Sequence, residues 1–314
     1  MVHKSLNSSI SFSMMVLLLL ILLKMSAYGQ EELRIATCQF PVTGDIRENA
    51  EYIKKFIREA AENNADIIQF PEAALSGYPP KDIPSFENYD WESLRKETRR
   101  IMSFAKESGI WVIMGSAHYI DENTKPLNCL YIISDDGKIA GRYDKSMLTR
   151  GDANYYTAGN HIEVIEIKGY KTGFLICYDS CYPEMYNIYR HQGVKIMFHS
   201  FYNAGHDGQT ILDEIIPAEI RVRASDNTMW VIASNSSRQY SSWPSCIARP
   251  DGSLESLERG IPGILYRDFP DTEKSDKFNS WIHNFKMMIL PENEIYQIFG
   301  KPSDHPRVLD TGSL

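Results

Sequence analysis

Gly173-Phe-Leu-Ile-Cys-Tyr-Asp-Ser-Cys-Tyr-Pro-Glu184 is the stretch that decides how this chain folds. The run Thr172 to Ile176 is apolar and strand-like, and it stops at Cys177. Tyr182-Pro183-Glu184 then has the composition of a helix start, with proline at the first turn. Cys177 is therefore expected on a sharp strand-to-helix turn, where backbone N–H groups converge and where strand ends in α/β folds gather ligands. One such turn can hold both a nucleophile and the donors for an oxyanion. A thiol with a pKa near ~8.5 needs a base or a positive neighbour to react efficiently at neutral pH.

Two more segments place a charged side chain just past an apolar strand: Phe70-Pro-Glu72 and Tyr143-Asp-Lys145. Taken singly, Glu72 reads as a solvated loop carboxylate and Lys145 as a surface charge. Together with Cys177 they supply a base and a cation. His199, after Ile196-Met-Phe198, offers a competing Cys-His arrangement, although a lone histidine at an apolar strand end is usually a hydrogen-bonded structural residue. Cys177 also reads as a buried free thiol, or as half of a disulfide with Cys181. Cys177-x3-Cys181 lacks the matching second pair of a metal site, and there is no Gly-rich phosphate loop, so neither metal nor cofactor is expected.

Working outward, Leu33 to Phe40 is a strand, and Asp45-x-x-Glu48 caps a helix with apolar positions Ala50, Ile53, Ile57 and Ala60. Ala65 to Phe70 is a strand stopped by Pro71. Trp91, Leu94, Ile101 and Ala105 mark a helix ending at Gly109, followed by a strand from Ile110 to Gly115. A hairpin turns at Asp136-Gly137 between Leu130–Ser134 and Lys138–Tyr143. Ile162–Ile167 pairs with Thr172–Ile176, and then come a helix Glu184–His191, a strand Val194–His199, a helix Ile211–Ala224 and a strand Thr228–Ser234. A last hairpin turns at Asp251-Gly252. Strands and helices alternating with hairpins fit a layered α/β fold with mixed sheet. Periodicity does not separate one sheet covered on both faces from two stacked sheets. No internal repeat is visible, and no linker divides the chain before about Asp268.

The first residues carry His3, Lys4, an apolar run from Met14 to Leu23 and then Ala27-Tyr28-Gly29. The run is shorter than the roughly 18 residues a spanning helix needs and matches the core of a signal peptide. Residues 1–29 are thus expected to be an export signal cleaved near Gly29, giving a periplasmic or secreted protein without stable membrane insertion. Removing Lys4 and Lys24 takes the formal net charge from -8 to -10. Such an acidic surface argues against nucleic acid or anionic membrane as partner. Five cysteines, at 38, 129, 177, 181 and 246, are an odd number for an oxidising compartment, so at least one stays outside any intramolecular pairing.

The three strand-end segments, in this order, resemble the nitrilase or carbon-nitrogen hydrolase superfamily with its Glu-Lys-Cys triad. Thr37-Cys-Gln39 is similar to the opening strand, Phe70-Pro-Glu-Ala-Ala-Leu-Ser-Gly-Tyr-Pro79 to the glutamate motif, and Gly173 to Asp179 with Tyr182-Pro-Glu184 to the nucleophile motif. Pro217-Ala-Glu-Ile-Arg221 to Asn235 and Pro250-Asp-Gly252 extend the likeness, which spans roughly 33–267. It implies a four-layer α-β-β-α sandwich with two stacked mixed sheets, filling a domain at 30–267 ahead of a C-terminal extension at 268–314. It also implies a homodimer or higher homo-oligomer formed through the outer helices. Carried over, Cys177 is the nucleophile, Glu72 the general base and Lys145 the oxyanion stabiliser, helped by the backbone N–H of Tyr178. The implied substrate is a small-molecule amide, with nitriles and N-carbamoyl compounds as related classes. Tyr78, Phe201, Tyr202 and Asn203 neighbour these segments and are candidate substrate-binding residues.

Two departures stand out. Many members carry a second glutamate after the lysine, where this chain has Asp152 before Tyr155-Tyr156 and Gly159; Asp152 is a candidate accessory acid. Cys181 stands where a non-thiol is expected, and pairing with Cys177 would switch the enzyme off. The alternatives are an acyltransferase using the same thioester and a catalytically silent binding module.

Overall fold

The computed structural model describes residues 32–269. The expected export segment lies outside the described residues, as does the expected C-terminal extension beyond Phe269.

Helix α1 (Ile46–Glu62) starts where the Asp45 carboxylate accepts from the N–H groups of Arg47 (2.8 Å) and Glu48 (3.2 Å). Glu48 does not reach back to complete a capping box; it accepts from the Thr43 hydroxyl instead. Helix α2 (Trp91–Ser108) is capped by Asp90 and ends at Gly109, whose φ of 63° is the left-handed geometry glycine adopts without strain. Helices α3 (Pro183–His191) and α4 (Leu212–Asn227) complete the helical layers.

Among the described residues twelve strands, β1 (Leu33–Gln39), β2 (Ile67–Gln69), β3 (Trp111–His118), β4 (Leu127–Ile133), β5 (Ile139–Asp144), β6 (Val164–Ile167), β7 (Tyr170–Ile176), β8 (Ile196–Ser200), β9 (Trp230–Ser234), β10 (Cys246–Ala248), β11 (Leu254–Ser256) and β12 (Gly263–Phe269), form two six-stranded sheets. The first runs β12-β1-β2-β3-β4-β5 and the second β6-β7-β8-β9-β10-β11. In each, an outer antiparallel strand is followed by three mutually parallel strands and then an antiparallel hairpin. Helices α1 and α2 make the crossovers of the first sheet, α3 and α4 those of the second. The topology thus repeats although the sequence shows no repeat. The loop after β2, which carries Glu72, is the counterpart of the loop after β8, which carries Phe201 to Asn203.

Period-two alternation sorts the side chains into layers. Ile35, Ile67 and Ile113 point toward the second sheet and share a core with Phe174, Ile176, Phe198 and Ile232. Their neighbours Ala36, Ile68 and Val112 face the other way, onto Ile53, Ile57, Leu94 and Ile101 of α1 and α2. Met185 and Tyr186 of α3 with Ile216 and Ile220 of α4 cover the far face of the second sheet. Each fully buried Ile contributes about 1.5–3 kcal/mol. The result is an α-β-β-α sandwich, and burial on both faces explains the near-continuous apolar strands.

Around Gln69, Ser200 and Ser234 the interface between the sheets turns polar. Gln69 donates to the Ser200 hydroxyl (3.1 Å), Ser200 to the carbonyl of Phe70 (2.8 Å), and Ser234 to the carbonyl of Cys38 (2.6 Å). These buried bonds fix the loops of one sheet against those of the other. Strand β12, not recognised in the sequence, pairs along the whole of β1 and ends in Asp268 and Phe269.

Candidate active site

Pro71 ends β2 and turns the chain so that Glu72 enters the space between the sheets. The following Ala73 has φ of 54°, and Glu72 N–H donates to the Phe201 carbonyl (3.2 Å), which ties this loop to its counterpart in the second sheet. The loop lies directly on β3 at Gly115. A Cβ there would fall 2.7 Å from Ala73 N and 2.9 Å from the Glu72 carbonyl carbon, and nearer still to Pro71 O, so only glycine permits the approach. The Glu72 side chain is fully buried. Its Oε1 accepts from Lys145 Nζ (2.8 Å) and Asn128 Nδ2 (2.7 Å), while Oε2 is buried without a hydrogen-bond partner.

Lys145 follows β5 and is also fully buried. Its backbone is held on both sides, donating to Asn128 O and accepting from Gly159 N, each at 2.8 Å. Nζ makes a second ion pair with Asp152 Oδ2 (2.9 Å). The Asp152 carboxylate further accepts from Tyr78 Oη (2.5 Å) and Thr149 N (3.0 Å). The shorter acid therefore reaches the lysine.

Cys177 has φ of 45°, a strained value for a non-glycine residue at the point where β7 gives way to a 3-10 turn over Cys177–Cys181. The turn is pinned by the buried Asp179 carboxylate. It accepts from Ile176 N (2.9 Å), Met147 N (2.8 Å) and Tyr143 Oη (2.8 Å), joining the cysteine turn to the lysine loop. As the second residue of a helical turn, Tyr178 has an N–H without a partner inside the turn, as an oxyanion donor requires. Cys177 and Cys181 are both free thiols, the latter exposed. A 3-10 turn rises about 2 Å per residue, separating their Cα atoms by roughly 8 Å, beyond the ~7 Å a disulfide spans.

His199 is buried in β8 with both ring nitrogens engaged, Nδ1 by Tyr186 Oη (2.6 Å) and Nε2 by the backbone carbonyl of Cys177 (3.2 Å). Burial holds it neutral, its pKa pushed down to about 3. It buttresses the turn rather than facing the sulfur. Tyr78 and Tyr202 stack at 4.8 Å between ring centroids. Asn203 Nδ2 points at Cys177 Sγ (3.9 Å). Phe201 departs from the expectation of a pocket-lining ring. It is fully buried between His199 and Trp243, as its place next to the apolar strand β8 requires, and it offers the site its carbonyl.

Carboxylate, ammonium and thiol thus converge from the three predicted segments, and the sequence pattern described as carbon-nitrogen hydrolase matches residues 34–269. The chain belongs to the carbon-nitrogen hydrolase family. Relatives of this hydrolase include nitrilase homolog 2 of Dictyostelium discoideum, 29% identical over 72% of this chain and 71% of that protein. The human omega-amidase NIT2 is 26% identical over 81% and 94%. An amidase from Nesterenkonia sp. superposes with a TM-score of 0.66 at 20% identity, over 81% of this chain and 97% of its own, and shares the sandwich fold.

In the hydrolase, burial raises the Glu72 carboxyl pKa, with Asp152 adding to the rise and Lys145 opposing it. Burial also drives the Cys177 thiol well above its usual range, and Glu72 reinforces the effect. For Lys145 burial acts against the charge, but Glu72, Cys177, Tyr78 and Asp152 outweigh it and keep the ammonium protonated. Asp152 is held below the usual carboxylate range: burial would raise it, and Lys145, Tyr78 and Thr149 N–H prevail. The thiol therefore rests neutral beside the buried Glu72–Lys145–Asp152 cluster, and moving its proton to Glu72 leaves the total charge of the site unchanged.

Two residues at this site were not foreseen. Asn128 orients Glu72, and its only signal was a polar residue opening the apolar run Asn128-Cys-Leu-Tyr-Ile-Ile133. Trp243 donates to Asn203 Oδ1 (3.0 Å), and a tryptophan far along the sequence gave no hint of that contact. Among the described residues no cluster of His, Cys, Asp and Glu could hold a metal ion, and no helix is long and apolar enough to cross a membrane.

Proposed function

We propose that this hydrolase cleaves a small, non-peptide amide through a thioester on Cys177. The observation that carries the proposal is the asymmetry of the buried Glu72 carboxylate. Oε1 is engaged by Lys145 and Asn128, and Oε2 is buried without a hydrogen-bond partner. The Cys177 S–H proton passes to Glu72 as sulfur attacks the carbonyl carbon. Lys145 and the Tyr178 N–H stabilise the tetrahedral oxyanion, a preorganised arrangement worth several kcal/mol of barrier in general. Glu72 returns the proton to the leaving nitrogen, and ammonia or an amine departs. Glu72 then deprotonates the water that attacks the thioester; the acid leaves and the thiol is restored.

The choice of an amide is supported by relatives named omega-amidase and by the 2-oxoglutaramate amidase of Bacillus subtilis, 28% identical over 52% of this chain. The contact of Asp152 with Lys145 and the free Cys181 thiol favour an active site over a silent module. We infer further that residues 1–29 direct export, which N-terminal sequencing of the mature protein tests. Assembly into a homo-oligomer through α4 is supported by Ile215 and Val222, which share an exposed stripe turned away from the face of the buried Ile216 and Ile220; light scattering of an Ile215→Arg variant tests it.

An ammonia-release screen over amides, nitriles and N-carbamoyl compounds with reduced protein identifies the substrate. Cys177→Ala is expected to abolish turnover with the fold retained, and Glu72→Gln to slow acylation. Full activity of Cys177→Ala would overturn the mechanism.

A further inference from the structure

We propose that Asn203 is a catalytic residue whose side-chain amide donates to the Cys177 sulfur as the thiolate develops, with Trp243 as the positioning residue that fixes the amide's orientation. The inference rests on Cys177 being the nucleophile.

Which atom of an asparagine faces which neighbour is decided by its hydrogen bonds. Here the decision is forced: the indole N–H of Trp243 is a donor only, and it lies 3.0 Å from Asn203 Oδ1. The oxygen must face the indole, so the NH2 group faces the sulfur, at 3.9 Å. Trp243 is 1% exposed and cannot swing away without opening the core. The backbone around the pair is equally fixed. Asn203 N donates to Asn235 Oδ1 (2.8 Å), Asn203 O accepts from Ser242 N (2.9 Å), and Asn235 Nδ2 donates to the Trp243 carbonyl (2.7 Å). One buried asparagine, Asn235, thus clamps both members.

At 3.9 Å the amide gains little from a neutral thiol, which is a weak acceptor. It gains much more from a thiolate, because charge-assisted hydrogen bonds are shorter and about twice as strong. The interaction therefore grows as the proton moves to Glu72, which is the condition for lowering a barrier rather than merely holding the ground state.

The test is the pH dependence of Cys177 alkylation by iodoacetamide, located by peptide mass spectrometry, with thermal unfolding as a control. Asn203→Ala should move the midpoint upward by about one pH unit, roughly tenfold slower alkylation below it. Asn203→Asp keeps an oxygen for Trp243 but turns the other toward the sulfur, so its midpoint should rise further than that of Asn203→Ala. Trp243→Phe should shift it in the same direction and by less. Unchanged midpoints in both Asn203 variants, with Cys177 still the modified residue, would overturn the proposal. Wild-type protein that is not alkylated at Cys177 would remove the nucleophile and the inference with it.

Discussion

Replacing Asp152 by Asn tests whether the shorter acid serves the reaction. Its Oδ2 lies 2.9 Å from Lys145 Nζ with both side chains fully buried. At an effective dielectric of ~20 such a contact has a gross Coulomb energy of about 6 kcal/mol. Asparagine keeps a carbonyl oxygen in place, and the surroundings relax, so about half of that should appear as a measured loss. Two effects follow for the chemistry. Lys145 loses one of the two anions that aim it, and Glu72 loses the neighbour that helps raise its proton affinity, becoming a weaker base. Only the part of that attraction lost selectively in the transition state slows the reaction; taken as about 3 kcal/mol at most, it sets an upper limit of roughly 100-fold on the fall in acylation rate. The assay is single-turnover thioester formation on the amide found by the ammonia-release screen, followed by intact-protein mass spectrometry. Asp152→Glu, which restores the charge on a longer arm in a closed space, should recover to within about tenfold of wild type. An Asp152→Asn protein within threefold of wild type would refute the role.

Gly115→Ala should cost about 2–3 kcal/mol in urea unfolding, because the added methyl overlaps the Glu72 loop. Its turnover should fall about 100-fold, since displacing the proposed base Glu72 by ~1 Å would have that effect; normal ammonia release would contradict the tight fit. The buried Asp179 carboxyl has its pKa pushed up to about 6 by burial, against three donors that oppose the rise. The folded state therefore binds this proton more tightly than the unfolded chain. The stabilisation is complete below about pH 4 and is lost as pH rises through 6, by up to about 3 kcal/mol. The stability difference between wild type and Asp179→Asn should accordingly shrink across pH 4 to 6 in denaturant titrations, and a pH-independent difference would count against it.

Much of this was legible because strand ends and turns have local signatures. Pro71 stopping β2, Gly109 closing α2 and Asp45 opening α1 each act within a few residues, and Glu72, Lys145 and Cys177 were visible as reactive groups at such punctuation. The stacking of two sheets was not legible from periodicity, since strands buried on both faces lose their alternation. Strand β12 escaped because its half-exposed residues carry no clear apolar face and its partner β1 lies more than two hundred positions away. Asn128 and Trp243 escaped for the same reason: their importance is a contact, and Trp243 meets Asn203 across forty residues.

The matched strand pattern of the two sheets has a consequence for how activity is lost. Glu72, Asn128 and Lys145 all belong to the first sheet, Cys177, Asn203 and Trp243 to the second, so neither half of the polypeptide contains a working set. Reactivity belongs to the joint held by Gln69, Ser200 and Ser234. Catalysis is therefore a sensitive reporter of how tightly the two sheets are held together across their shared core, and it fails on their separation even while every strand remains paired with its neighbours.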